Sequence, residues 1–195
     1  ELRSDGPNFH NMIKLGETLT ADDAIQALYV FNSNPAATAP NQNKVLAGLA
    51  RDDLFVVVHE LFMSDTAKSA NLVLPACTQA EQWDLHRSYW HDYAQINNPA
   101  IEPQGEARSN HWVFGQIAQA MGFDEPCFRE SEEDTLRGLL AGTGLDFDAL
   151  AAGPVSCMPV DETSFADRKF PTPSGKLELM TPNYTPAAPD EEHRY

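Results

Sequence analysis

The sequence predicts an α/β protein whose central sheet is mainly parallel. Three short apolar runs, at 27–31, 54–58 and 71–74, alternate with segments of helical periodicity. The second run, Leu-Phe-Val-Val-Val, contains no alternating polar residues, which is typical of a strand covered on both faces. Strands that alternate with helices at this spacing favour parallel pairing through right-handed crossovers. The chain is therefore expected to form a Rossmann-like sheet flanked by helices.

Turn and capping residues separate these predicted strands. Asn32–Pro35 stops the first strand with a tight turn, and Pro75 closes the third. Asn41 is predicted to cap a helix that runs to residue 52. Ser64 or Asp65 is predicted to cap a short helix over 66–70.

Beyond residue 75 the pattern is less regular. Residues 83–103 mix aromatic, His and Asn side chains and predict one strand, at 93–97. Ser109 is predicted to cap a helix that stops at Gly122, and Ser131 opens another helix with a sequence like a capping box. The predicted organisation is a lead-in arm at 1–21, an α/β domain at 22–125, a helical extension at 126–169 and the start of a truncated C-terminal domain at 170–195.

The composition argues against several classes of partner. Thirteen basic and 29 acidic residues give a formal net charge of −16, which repels phosphate backbones and anionic lipid surfaces. No apolar run approaches the roughly 20 residues needed to cross a membrane. Neither nucleic-acid binding nor membrane insertion is therefore expected.

The cysteine content predicts the compartment. The three cysteines contain no Cys-x-x-Cys pair, so this chain alone is expected to build neither a zinc ribbon nor an iron–sulfur site. An odd number of spaced thiols fits a reducing compartment and predicts a cytoplasmic location.

The first residues contain neither an initiator Met nor a signal segment, and we interpret the chain as truncated at its N-terminus.

Polar side chains follow each of the three predicted strands. Ligands of parallel sheets bind beyond the carboxyl ends of the strands, so these positions predict a nucleotide crevice without a Gly-rich loop. The Ser64-Asp65-Thr66 helix start would offer backbone N–H groups to a phosphate. The strand-end residues are Asn32, Ser33 and Asn34, then His59 and Glu60, then Cys77, Thr78, Glu81 and Gln82.

Other interpretations of these patterns remain open at this point. Any α/β domain has polar turn and capping residues at its strand ends, so the pattern alone is not specific. The spacing of Asp84, His86 and His91 does not place them on one helical face, and a hydrogen-bonded loop is favoured over a metal site. Pro173–Lys176 ends like a phosphate-binding loop but lacks the earlier glycine, which favours a turn into a strand.

Four ordered blocks of the sequence resemble a known family. Three of these blocks are residues 27–41 (ALYVFNSNPAATAPN), 54–81 (LFVVVHELFMSDTAKSANLVLPACTQAE) and 99–110 (PAIEPQGEARSN). They resemble the molybdopterin oxidoreductases of the dimethyl-sulfoxide-reductase family. Residues 170–179 (FPTPSGKLEL) resemble the passage of that family into its final β-barrel domain. The chain is similar to an internal part of the catalytic subunit.

The resemblance implies a cofactor and a set of residues that bind it. In that family this region is half of an α/β domain that holds one of two molybdopterin guanine dinucleotides, with Glu60 reading ribose or base. The implied cofactor-binding residues are Asn32, Ser33, Asn34, His59, Glu60, Thr66, Gln82 and Asn110.

The resemblance also leaves parts of the enzyme outside this chain. The iron–sulfur cysteines and the protein ligand of molybdenum or tungsten are expected upstream of Glu1, so the fragment alone is expected to be inactive. The implied partners are the rest of the parent polypeptide and an electron-transfer subunit. Residues 81–87 depart from the usual Gly-Thr and Glu-Gly-Arg pattern of the family, so no substrate is implied.

Two further hypotheses come from other classes. The first is a cofactor-free structural or interaction subunit derived from the same fold, and the second is a stand-alone nucleotide-binding module. The polar side chains at Asn32, Asn34 and Glu60 favour cofactor binding over the structural hypothesis.

Overall fold

Two three-stranded sheets organise the chain in the computed structural model, which describes residues 10–21, 25–157 and 165–179. The strands are β1 (Ala27–Phe31), β2 (Phe55–Glu60), β3 (Leu72–Pro75), β4 (Asp84–Arg87), β5 (Tyr93–Asn97) and β6 (Val155–Ser156). The helices are α1 (Leu15–Thr20), α2 (Pro35–Thr38), α3 (Gln42–Leu49), α4 (Asp65–Lys68), α5 (Asn110–Ala120), α6 (Glu132–Leu140) and α7 (Phe147–Ala152).

The first sheet has the order β1–β2–β3 and is parallel throughout. Val58 of the central strand is in register with Val30 on one side and Val73 on the other. The predicted parallel α/β arrangement is therefore confirmed. The first strand has its predicted bounds, whereas β2 continues to Glu60 and β3 to Pro75.

One face of this sheet is covered by the first hydrophobic core. Val30, Val56 and Val58 point into it, and the side chains of α3 complete it. Helix α1 belongs to this core as well, because Leu19 is fully buried there. Residues 15–20, assigned from the sequence to a lead-in arm, thus pack as part of the α/β unit; residues 1–9 lie outside the described ranges.

The second sheet is antiparallel and has its own core. Strands β4 and β5 form a hairpin, β6 pairs with β5, and helices α6 and α7 pack against them. Only β5 was predicted, because the Asp-Leu-His-Arg sequence of β4 offers a single apolar residue to a periodicity argument. Ile96 and Leu150 are fully buried in this second core.

Three of the predicted helix caps are confirmed and one is wrong. The Ser64 hydroxyl caps α4 by accepting a hydrogen bond from the backbone N–H of Ala67 (3.3 Å). The Ser109 and Ser131 hydroxyls accept hydrogen bonds from the backbone N–H groups of Trp112 (3.2 Å) and Asp134 (3.0 Å). Asn41 precedes α3 in a left-handed conformation (φ 56°), and its side chain makes no capping bond. Its backbone carbonyl, rather than its side chain, starts that helix.

The C-terminal segment contributes a turn. The amide of Gly175 donates to the carbonyl of Thr172 (3.0 Å), and Gly175 has a φ of 67° that suits glycine. The turn predicted at Pro173–Lys176 is present, but 177–179 are not in a strand, and 180–195 lie outside the described ranges. None of the helices in the described part of the chain has the length and apolar character to cross a membrane.

Candidate functional site

A cleft of about 440 Å³ opens where the carboxyl ends of β1, β2 and β3 meet. Parallel pairing places all three strand ends at one edge, so residues far apart in sequence converge there. Of the predicted site residues, Asn32, Ser33, Asn34, Glu60 and Gln82 line this cleft. His59, Thr66 and Asn110 do not.

Asn34 is held in the cleft wall by Thr66. The Oδ1 atom of Asn34 accepts hydrogen bonds from the hydroxyl (2.7 Å) and the backbone N–H (3.1 Å) of Thr66. The Thr66 hydroxyl oxygen also accepts a hydrogen bond from the N–H of Ala36 (3.0 Å), and Thr66 is fully buried. These bonds occupy the carbonyl oxygen of Asn34, and its amide nitrogen has no hydrogen-bond partner in the ranges that the structure describes.

The start of α4 does not offer the phosphate seat that the sequence suggested. Its Thr66 N–H is bonded to Asn34, and its Ala67 N–H is bonded to the Ser64 hydroxyl (3.3 Å). The carboxylate of Asp65 stands in the first turn, where it pairs with the Lys68 ammonium (3.0 Å). The expectation of free N–H groups there is wrong for Thr66 and Ala67, because the chain itself takes up both donors.

Glu60 ends the central strand and carries an available acceptor. Its Oε1 atom accepts a hydrogen bond from the N–H of Leu61 (2.7 Å), and the side chain is half-buried. Its other carboxylate oxygen has no hydrogen-bond partner among the described residues. A ligand with an N–H or O–H group can therefore bind there.

Asn32 and Asn110 meet at the rim of the cleft across 78 residues of sequence. Asn32 has a left-handed backbone (φ 50°), which Asn tolerates better than most residues. The Asn110 amide, in the first residue of α5, donates to Asn32 Oδ1 (3.1 Å). Asn110 thus positions a residue of the cleft.

His59 points away from the cleft into the protein. It is fully buried, and its Nε2 atom lies 3.1 Å from the carbonyl oxygen of Arg108 and 3.3 Å from that of Pro75. Its Nδ1 atom is buried without a hydrogen-bond partner among the described residues. The polar contacts of His59 are therefore with the chain itself.

Glu81 orders the loop that follows β3, and this loop lines one side of the cleft with Thr78, Gln79 and Gln82. Its carboxylate accepts hydrogen bonds from the N–H groups of Thr78 (2.7 Å) and Gln104 (2.7 Å), and the residue is nearly fully buried. These bonds, the Thr78 backbone bond foremost, hold the pKa of Glu81 below its ordinary value. Glu81 thus orders the loop that presents Gln82.

Cys77 and Thr78, which the sequence placed at the end of the third strand, line the cleft as expected. The sequence did not indicate that Asp84 lines it too, nor how the neighbouring loop is held. Burial raises the pKa of the Cys77 thiol, which keeps it protonated. The amide of Asn97 donates to the carbonyls of Gln79 (2.6 Å) and Gln82 (2.8 Å) and ties the hairpin to the loop. A contact between a strand and a distant loop leaves no local sequence signal.

A second cavity of about 730 Å³ lies beside the β4–β5 hairpin and shares Gln79 with the cleft. Its lining includes His86, Arg87 and His91. His86 Nε2 lies 3.7 Å from a carboxylate oxygen of Asp84. Within the described ranges, no three His, Cys, Asp or Glu side chains are grouped so that they could hold a metal ion.

Comparison with known proteins identifies relatives of the chain. A family described as molybdopterin oxidoreductase matches residues 8–120, more than half of the chain. All of the chain matches the probable oxidoreductase YoaE of Bacillus subtilis at 38% identity, and it spans 31% of that protein. The probable oxidoreductase YyaE of the same organism matches 93% of the chain at 34% identity, over 28% of its own length.

A solved structure shares the fold. Acetylene hydratase from Pelobacter acetylenicus superposes on 89% of this chain with a TM-score of 0.67 and 24% identity, over 24% of the hydratase chain. The chain thus spans about a third or less of each of these relatives.

Proposed function

The chain belongs to the molybdopterin oxidoreductase family, and on this premise we propose that its cleft holds one guanosine end of a molybdopterin guanine dinucleotide. The observation that carries the proposal is the convergence of available groups on one cleft. One carboxylate oxygen of Glu60 and the amide nitrogen of Asn34 have no partner among the described residues, and both residues stand at strand ends that line the cleft.

The donor set and the size of the cleft fit a nucleoside. Ligand sites commonly measure about 300–1,000 Å³, and this cleft has about 440 Å³. Guanine presents N–H donors on one edge and ribose presents hydroxyls, and both can bind the carboxylate of Glu60. Asn34, Ser33 and Gln82 supply amide and hydroxyl groups for the acceptors of the base and the sugar.

Charge supports the orientation of the nucleotide. Glu60 and Asp84 make the cleft acidic, and the Thr66 and Ala67 N–H groups at the start of α4 are bonded within the chain. Phosphates are repelled there, whereas uncharged N–H and O–H donors are attracted. We therefore assign the guanosine end, rather than the pyrophosphate, to the region around Glu60.

The role of this chain is to bind and orient the cofactor. When bound, the cofactor supplies the dithiolene ligands of molybdenum or tungsten, at which the redox chemistry takes place. We propose that the metal ligand and the iron–sulfur cysteines are contributed by other parts of a longer polypeptide, and that an electron-transfer subunit is its partner. The three free cysteines support a reducing, cytoplasmic compartment.

The reaction and substrate of the whole protein remain separate from this assignment. The named relatives include probable oxidoreductases and a hydratase, which differ in the type of reaction. A region shared by such proteins supports a common cofactor rather than a common substrate.

Nucleotide binding by the chain tests the proposal. We expect GDP to bind more tightly than ADP in equilibrium dialysis. Glu60→Gln should weaken GDP binding about tenfold or more, because a hydrogen bond to a charged group contributes about 1.5–3 kcal/mol. The melting temperature should stay within about 1 °C, because Glu60 makes one bond to its own chain. Glu125→Gln is the matched control, because this exposed carboxylate has no bond among the described residues.

The full-length protein provides the second measurement. Glu60→Ala should lower the guanine and molybdenum content after purification more than it lowers the melting temperature of the apo form. Equal binding of GDP and ADP together with unchanged guanine content would contradict the proposal and favour a cofactor-free structural subunit.

A further inference from the structure

We propose that His59 is a positioning residue whose imidazole is protonated at Nε2 and hydrogen-bonds the start of α5 to the sheet. This connection, the His59 lock, keeps Asn110 hydrogen-bonded to Asn32 at the rim of the cleft. The consequence for nucleotide binding rests on the proposed function. The lock itself does not, because it is made entirely by contacts within the chain.

The surroundings of His59 select one tautomer. Its Nε2 atom faces two carbonyl oxygens, those of Arg108 at 3.1 Å and Pro75 at 3.3 Å. A carbonyl only accepts hydrogen bonds, so Nε2 carries the proton and donates to both. The opposite tautomer would turn a lone pair toward the two carbonyls and leave a buried Nδ1–H without an acceptor.

The two carbonyls belong to a one-residue extension of the sheet. Arg108 pairs with Ala76 in parallel, beyond the end of β3. The Arg108 N–H donates to Pro75 O (3.1 Å), and the Cys77 N–H donates to Arg108 O (3.1 Å). The imidazole of His59 reaches from the central strand across β3 and adds a third donor to this bridge.

The bridge fixes the position of α5 relative to the cleft. Ser109, the cap of α5, follows Arg108 directly, and Asn110 then donates to Asn32 Oδ1. Asn32 follows Phe31, which is in register with His59. A series of contacts therefore joins the central strand to the rim beside Glu60: His59 contacts Arg108, and Asn110, two residues further on, contacts Asn32. If the bridge opened, Asn32 would lose its partner on α5.

Two substitutions separate a hydrogen-bonding role from a packing role. Gln supplies an N–H donor of similar reach, so His59→Gln should preserve the bridge, whereas His59→Leu fills the space without a donor. If His59 acted through packing alone, the Leu variant would equal or surpass the Gln variant. Leu150→Val is the control, since it trims a fully buried side chain in the second core, away from the cleft.

Hydrogen exchange measured on the chain is the test. Amide exchange at Cys77 and Arg108 should accelerate about tenfold or more in His59→Leu and stay within about threefold of the parent in His59→Gln and Leu150→Val. Imidazole ¹⁵N spectra of the parent chain should show His59 protonated at Nε2, a result that needs no variant to fold. A proton on Nδ1, or faster exchange in His59→Gln than in His59→Leu, would overturn the proposal.

GDP binding then separates the lock from the nucleotide site. His59→Leu should weaken GDP binding about threefold or more, and His59→Gln should restore it. If the parent chain shows the Nε2–H form and the expected exchange but binds no GDP, the proposed function fails and the lock stands. If GDP binds equally well to both His59 variants, the role of the lock at the cleft is contradicted.

Discussion

Thr66 directs both its hydroxyl and its backbone N–H at a single atom, Asn34 Oδ1, at 2.7 and 3.1 Å. The two residues lie 32 positions apart, one after β1 and the other in α4. Both were expected to contact the cofactor. The two residues have different roles in the structure: Asn34 lines the cleft, and the buried Thr66 holds the Asn34 side chain in position.

Thr66→Val is therefore expected to destabilise the fold. Val has a similar shape but no hydroxyl, so the buried N–H of Ala36 loses its acceptor and Asn34 loses a donor. An unsatisfied buried group costs about 1–3 kcal/mol, which lowers the melting temperature of a chain of this size by roughly 2–12 °C. Thermal unfolding by circular dichroism measures the shift. The control is Thr20→Val, which removes the hydroxyl of an exposed residue that donates within its own helix to the carbonyl of Gly16 (2.8 Å). It should change stability by less than about 0.5 kcal/mol, and equal shifts in both variants would contradict the role of Thr66.

Glu81 should make stability depend on pH in the acidic range. Its pKa is lowered in the folded chain, so the charged form stabilises the fold above the ordinary glutamate pKa, about 4.3, and this contribution is lost as the pH falls through the folded value. Glu81→Gln should lower the melting temperature at pH 7, and the gap between parent and variant should narrow below about pH 4.3. Glu102→Gln, an exposed carboxyl, serves as the control. A gap that stays constant from pH 7 to pH 3 would show that the charge of Glu81 is not involved.

Two glycines in helices are expected to respond in opposite directions to alanine. A Cβ atom at Gly48 of α3 would overlap the side chain of Leu19, so Gly48→Ala must push α1 away and should destabilise by about 1–3 kcal/mol. Gly138 of α6 faces open space, and Gly138→Ala should stabilise by about 0.4–1 kcal/mol. Urea unfolding of both variants gives the comparison. Stabilisation by Gly48→Ala would mean that α1 does not pack on α3 as described.

The 195-residue chain alone is expected to have no reductase activity. The protein ligand of the metal is proposed to lie in another part of a longer polypeptide, so the chain alone would lack it. Oxidation of reduced viologen with a panel of oxo-acceptors should remain at background for the purified chain, with the full-length protein as the positive control. Turnover by the pure, cofactor-loaded chain would contradict this assignment.

The sequence by itself determined that β1, β2 and β3 run parallel and which residues stand at their ends. It also determined the caps at Ser109 and Ser131. These features depend on neighbours within a few positions: an apolar run, the turn that stops it, or a hydroxyl three residues before an N–H group. Parallel pairing then brings the strand ends to one edge, so Asn34 and Glu60 could be placed together without coordinates.

Only the tertiary structure decided which polar side chains face the cleft. A fully apolar strand such as Leu54–Val58 has no alternation to show its faces, so nothing in the sequence revealed that His59 points inward while Glu60 lines the cleft. The contacts of Thr66 with Asn34 and of Asn110 with Asn32 join segments 32 and 78 residues apart. Such contacts depend on how helices and strands pack over the whole unit, because a polar side chain that enters the interior must find its partner wherever the fold brings one.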